Sequence, residues 1–172
     1  PASPFVAIMG GAKISGKIDV IEHLLPIVDA LLIGGGMAFT FYKAMGLEIG
    51  KSILEEDRVE VASNLLQMAK EQNVELLLPL DNVVAAEISP SAQTDVVSRD
   101  RIPVEKEGLD IGPQTRELFS AAIMKAKTVV WNGPLGVCEV EPFSHGSRAV
   151  AEALALATDQ GATTIVGGGE TA

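Results

Sequence analysis

One cysteine among 172 residues excludes an internal disulfide and fits a reducing compartment. Nothing around Cys138 supplies an obvious base, so it reads as a small apolar contact rather than a nucleophile. Basic residues are also few: 13 Lys and Arg stand against 23 Asp and Glu, a net charge of -10. That balance favours solubility and argues against a nucleic-acid surface. It leaves room for a phosphate ligand, because a local lysine and a helix end outweigh distant charge. No apolar run reaches membrane-spanning length, and no secretory leader is visible, so no membrane role is expected. Two nucleotide signatures are missing as well. There is no GxGxxG followed by a well-placed ribose acid, which disfavours a dehydrogenase, and no GxxxxGK[ST] loop.

What remains is a chain rich in strand-sized apolar runs and in glycine. With 47% hydrophobic and 21% charged residues it suits one globular domain with a sizeable core. Seventeen glycines are more than a helical bundle needs and point to several tight loops. Five apolar runs read as buried strands: 5–9, 30–33, 75–78, 128–130 and 163–166. Helical spacing follows four of them. Ile18, Ile21, Leu24 and Leu25 share one face before Pro26, and residues 37–45 form a short helix. A longer helical region starts at Leu54, another carries Leu118 to Ile123, and a last one follows Pro142. Residues 82–104 interrupt the alternation with short β-prone pieces, expected as a small ribbon outside the main sheet. The repeated strand–helix order predicts an α/β fold, a three-layer α/β/α Rossmann-like parallel sheet with right-handed crossovers. The last strand runs into Gly167–Thr171 and the chain stops at Ala172 without a covering helix, so it reads as part of a larger protein or domain.

Glycine-bearing loops follow the strands. Trp131-Asn132-Gly133-Pro134-Leu135-Gly136-Val137-Cys138-Glu139 follows the strand at 128–130 and can continue neither as helix nor as central strand. In an open parallel sheet such strand ends are where ligands bind. Glu139 offers two acceptors for ribose hydroxyls, against the plainer reading of a surface acid on a turn. Gly10 to Lys17 joins a strand to a helix start, where backbone N–H groups face an anion. Lys13 and Lys17 flank that point, as phosphate donors or as ordinary surface lysines. Gly34-Gly35-Gly36 either admits a flat ring near the backbone or only lets strand and helix pack closely. Asp81 is either functional or a turn-forming acid, and Gly108 to Pro113 reads as a bounded loop before a helix. His145 and Arg148 read as surface or capping residues.

These loops together resemble the phosphoglycerate kinase family. Trp131 to Glu139 is similar to its WNGPxGVxE stretch, and Gly10 to Lys17 to its first glycine–lysine loop. Gly34 to Phe41, Gly108 to Pro113 and Gly167 to Thr171 resemble three further motifs in the family's order. The resemblance implies the C-terminal, nucleotide-binding lobe over residues 1–172, incomplete at its C-terminal end, with strand order 3-2-1-4-5-6. On the same resemblance, the N-terminal lobe that holds the sugar acid and the closing GGGAS loop are expected to lie outside these residues. The implied reaction moves a phosphoryl group reversibly between 1,3-bisphosphoglycerate and ADP, giving 3-phosphoglycerate and ATP. The implied enzyme is monomeric and cytoplasmic in most organisms, plastid or glycosomal in some, and this segment alone is expected to be inactive. ATP or ADP with Mg²⁺ are the implied cofactors.

By motif, Gly11 and Ala12 resemble nucleotide-contacting backbone, and Lys13 and Lys17 the catalytic lysines on the phosphates. Gly35, Gly36, Gly108 and Leu109 resemble the adenine pocket. Asn132, Pro134, Gly136 and Val137 resemble further phosphate- and base-side contacts, and Glu139 the ribose ligand. Gly168, Gly169, Glu170 and Thr171 resemble the Mg-nucleotide phosphate loop, with Glu170 at the metal. Three positions depart from the family's usual residues. Gly16 stands for Asp, Glu107 for Met and Glu170 for Asp. A non-catalytic nucleotide-binding or scaffold fragment shares all these loops and is the alternative.

Overall fold

A computed structural model of the chain describes residues 1–168. The elements run β1 (Phe5–Met9), α1 (Ile18–Leu24), β2 (Ala30–Ile33), α2 (Ala38–Ala44), α3 (Val59–Glu71) and β3 (Glu75–Leu77). Then come β4 (Asp81–Ala85), β5 (Asp95–Ser98), β6 (Glu107–Ile111), α4 (Pro113–Lys125), β7 (Thr128–Asn132), α5 (His145–Asp159) and β8 (Thr163–Gly167). Five strands make the main sheet in the order β3-β2-β1-β7-β8, all parallel. The expected fold class and the five expected strands are therefore found, with β1 at the centre. Over these five strands the order is also the one the resemblance implies.

Two-sided burial explains why the central strands read as unbroken apolar runs. Successive side chains of β1 point to opposite faces. Ala7 and Met9 join Leu31, Ile33, Ile21, Phe41 and Leu65 in one core. Val6 and Ile8 join Leu32, Val129, Trp131, Phe119, Ile123 and Val150 in the other. Helices α1, α2 and α3 thus cover one face, and α4 and α5 the other. Each fully buried Leu, Ile or Phe is worth roughly 1.5–3 kcal/mol, so a polar residue inside β1 would lose on either face. At the outer strand among the described residues, β8, burial is weaker: Ile165 and Val166 are exposed.

Between β3 and α4 the chain builds a second, antiparallel sheet in the order β5-β4-β6. The expected ribbon is present as β4 and β5. The expected loop at Gly108 to Pro113 differs, because its first four residues belong to strand β6. Gly108 does not break that strand. It makes room for the Phe39 ring, whose Cζ would lie 2.3 Å from any Cβ placed there. Pro113 does open a helix, as expected, with Gly112 at the cap position.

Asp81 also finds a defined job. It is buried at the start of β4, and its carboxylate accepts from the N–H groups of Gln114 and Thr115, both at 3.0 Å. The Thr115 hydroxyl donates to it at 2.6 Å. It caps α4 from a distant strand and is not a local turn former. These bonds satisfy N–H groups that every helix start leaves open.

Candidate active site

In a parallel sheet all carboxyl ends lie along one edge, and here that edge is a joined set of loops. Met9 and Asn132 are register partners, so β1 and β7 end side by side. Backbone hydrogen bonds then link the loops. The Gly10 N–H donates to the Asn132 carbonyl at 2.8 Å and the Gly11 N–H to the Pro134 carbonyl at 2.9 Å. The Met37 N–H donates to the Gly11 carbonyl at 3.1 Å and the Gly35 N–H to the Leu135 carbonyl at 3.2 Å. Strand β6 joins through the Val137 N–H and the Leu109 carbonyl at 2.9 Å. Loops after β1, β2 and β7 and the strand β6 are thereby fixed relative to one another.

They surround a cleft of about 400 Å³. Ten of the residues named from sequence line it: Gly11, Ala12, Gly35, Gly36, Gly108, Leu109, Pro134, Gly136, Val137 and Glu139. Gly11 and Ala12 lie against Gly35 and Gly36. There the Lys17 stem passes Gly11, since a Cβ on that glycine would sit 3.6 Å from Lys17 Cε. The Lys17 ammonium donates to Asn132 Oδ1. Lys13 is exposed on extended backbone just before the 3₁₀ turn Ile14–Gly16. Glu55 holds that turn by accepting from the Ser15 N–H at 3.1 Å. Phe39, Ile53 and Leu109 supply apolar lining, with the Phe39 ring against Gly108 and Ile53 beside Gly36.

Gly168 closes β8 with a positive φ of 86° and is not in the cleft wall. Gly169, Glu170 and Thr171 lie outside the described residues, and the metal reading of Glu170 with them. Among the described residues no group of three or more His, Cys, Asp or Glu is placed to hold a metal ion. His145 lies 3.7 Å from Glu141, four residues earlier, and Arg148 donates to the Ser144 hydroxyl at 3.5 Å. Both serve the start of α5 and stand apart from the cleft lining.

Sequence reasoning missed Asn82 and Asp110, which also line the cleft. Asn82 is held by the Tyr42 hydroxyl at 2.7 Å. Asp110 is almost fully buried. Its Oδ1 accepts from the Ile111 N–H and its Oδ2 from the Gly146 N–H in the first turn of α5, each at 2.9 Å. An acid inside the apolar run Leu109-Asp110-Ile111 was the available signal, because such a residue needs a partner when buried.

The decisive comparison is with known sequences. The family model described as phosphoglycerate kinase matches residues 1–172. The chain belongs to the phosphoglycerate kinase family. The phosphoglycerate kinase of Chlorobium phaeobacteroides is 58% identical over all 172 residues, and that of Chloroherpeton thalassium is 54% identical. The chain spans 43% of the length of each of these relatives. Among solved structures, phosphoglycerate kinase from Coxiella burnetii superposes with a TM-score of 0.96 at 45% identity, over 99% of this chain and 43% of that one. The enzyme from Pyrococcus horikoshii matches with a TM-score of 0.78 at 26% identity, over 99% and 48%. No helix among the described residues is long and apolar enough to cross a membrane.

Asp110 gives this member of the phosphoglycerate kinase family a pH-dependent stability. Burial pushes its pKa up to about 7, against the pull of the Gly146 and Ile111 N–H groups and the Arg116 guanidinium. The unfolded chain ionises this group near pH 4. Above that, the native state keeps the proton longer than the unfolded state, so stability falls as pH rises toward 7 and levels off beyond it. Asp110→Asn removes the titration. The stability of the wild type relative to this variant should drop by roughly 2–3 kcal/mol between pH 5 and pH 8 in urea titrations. A pH-independent difference would show that Asp110 is ionised throughout.

Proposed function

We propose that this chain is the nucleotide-holding part of an enzyme that transfers a phosphoryl group reversibly from 1,3-bisphosphoglycerate to ADP. The products are 3-phosphoglycerate and ATP, and the sugar acid binds on the remainder of a monomeric, cytoplasmic enzyme. The observation that carries this reading is the cleft itself, lined by backbone of the glycine loops and by Phe39, Ile53 and Leu109, with the Lys17 stem beside Gly11. That lining suits a nucleotide with its base against Phe39 and Leu109 and its phosphates toward the lysines.

The roles follow from position. Glu139, exposed at the rim, accepts from ribose hydroxyls. Pro134, Gly136 and Val137 form one wall beside the sugar, and Gly35, Gly36 and Gly108 let the base approach backbone. Lys13 and Lys17 bring positive charge to the oxygens of the transferring group. Phosphoryl transfer asks little covalent chemistry of a protein, and positioned charge does most of the work. Mg²⁺ enters as part of the nucleotide substrate, and the acid proposed to meet it is Glu170.

The test uses a full-length phosphoglycerate kinase in which this chain replaces the matching segment of the Chlorobium phaeobacteroides relative. A coupled assay should show ADP formation that depends on 3-phosphoglycerate. Glu139→Gln should weaken MgADP by about tenfold and weaken the 2′,3′-dideoxy nucleotide less. Tight MgADP binding without turnover would support the scaffold reading instead.

A further inference from the structure

Glu107 is a polar side chain of the cleft lining that the roles above leave unused. It precedes Gly108 on β6, where the Phe39 ring packs, in a lining that also contains Ile53 and Leu109. Asp110 is occupied by the Ile111 and Gly146 N–H groups. Glu139 is exposed at the rim, and Asn82 is held by the Tyr42 hydroxyl. Among the described residues the Glu107 carboxylate has neither a hydrogen bond nor a salt bridge, and its nearest charge influence is Lys51. A carboxylate in such a slot can only accept, so whatever ring fills the slot should bring N–H groups to it.

The two purines differ at that edge. Adenine presents one donor, its exocyclic amine, next to the N1 lone pair, and that lone pair opposes the second carboxylate oxygen. Guanine presents two adjacent donors, N1–H and the 2-amino group, which match both oxygens of one carboxylate. We infer that Glu107 reads the base edge and makes guanine nucleotides substrates of this cleft, bound at least as well as adenine nucleotides. The inference rests on the nucleotide reading above and adds the base to it. Partial burial raises the Glu107 pKa and the Lys51 ammonium opposes the rise. Glu107 therefore meets the base as a partly desolvated acceptor, the condition under which a charge-assisted bond is strongest.

Glutamine at the same position reverses the logic, because an amide donates to adenine N1 while accepting from its amine, the counterpart of the two-point pairing that amides make on adenine's N6/N7 edge. Calorimetry on the full-length enzyme with MgADP, MgGDP and the inosine diphosphate, which keeps N1–H and lacks the 2-amino group, is the test. In the wild type GDP should bind no more weakly than ADP, with the inosine nucleotide weaker than GDP. Glu107→Gln should move the ADP-to-GDP affinity ratio toward ADP by about tenfold or more. Glu107→Leu should weaken GDP and leave ADP nearly unchanged. If all three proteins show the same ratio within twofold, the inference is wrong and the nucleotide reading stands. If the wild type binds no nucleotide of any base, both fall together.

Discussion

Lys17→Met in the full-length enzyme is expected to lower kcat by about 10²–10³-fold, with a much smaller change in MgADP affinity. The expectation starts from where the lysine stands. It sits between the 3₁₀ turn after β1 and the first turn of α1, and its ammonium reaches Asn132 at the end of β7. β1 and β7 are adjacent strands at the centre of the sheet, so the two residues are tied to its most rigid part. Methionine keeps the apolar stem that passes Gly11 and removes only the charge. A fixed cation that meets charge as it develops acts on the transition state more than on the bound ground state. The loss should therefore appear in kcat. Asn132→Ala leaves the charge and releases its anchor, so a smaller loss of about tenfold is expected. Because the amide acts through the lysine, the double variant should be little worse than Lys17→Met alone. Steady-state kinetics in both substrates measures all three. A kcat within threefold of wild type for Lys17→Met would remove the lysine from the chemistry.

Much of this arrangement was legible in the sequence, for a physical reason. β1, β2 and β7 are buried on both faces, so the runs at 5–9, 30–33 and 128–130 are apolar without alternation and cannot be mistaken for loops. The loop glycines were legible because the close approach of four backbones at one edge leaves few other residues room. What escaped was decided by distant packing. β6 contains Gly108 and Asp110, both poor strand residues by local preference. One is tolerated because the Phe39 ring fills its place, the other because α5 brings an N–H to it. Asp81 looked like a turn residue because the helix it caps begins more than 30 positions later. Phe39 and Ile53 enter the cleft wall from the region between β2 and α3, where local pattern says only that they are apolar. Local periodicity thus located the scaffold and the glycine loops, and the side chains that complete the cleft needed the tertiary fold.

Gly133→Ala is expected to cost about 3 kcal/mol of stability or more and to abolish tight MgADP binding. Two independent effects add at this position. The backbone has φ +95°, a conformation that side-chain-bearing residues rarely adopt. A Cβ there would also lie 2.3 Å from the Gly10 carbonyl oxygen and 2.4 Å from its carbon. Those are backbone atoms of the central strand's end and cannot swing aside as a side-chain tip does. The loop must move instead, and its bonds oppose that. The Gly10 and Gly11 N–H groups bond to Asn132 and Pro134 on either side, and the Trp131 indole N–H donates to the Gly133 carbonyl at 2.8 Å. Shifting the loop by an ångström breaks these and displaces Pro134, Gly136 and Val137 from the rest of the cleft lining. Gly16→Ala is the matched control. No atom lies within 4 Å of its added Cβ and its φ is not positive, so stability should stay within about 1 kcal/mol of wild type or rise slightly. Thermal denaturation and MgADP titration of both variants separate the outcomes. If Gly133→Ala melts and binds like Gly16→Ala, the packing of the β7 loop against Gly10 is not what holds the cleft in shape.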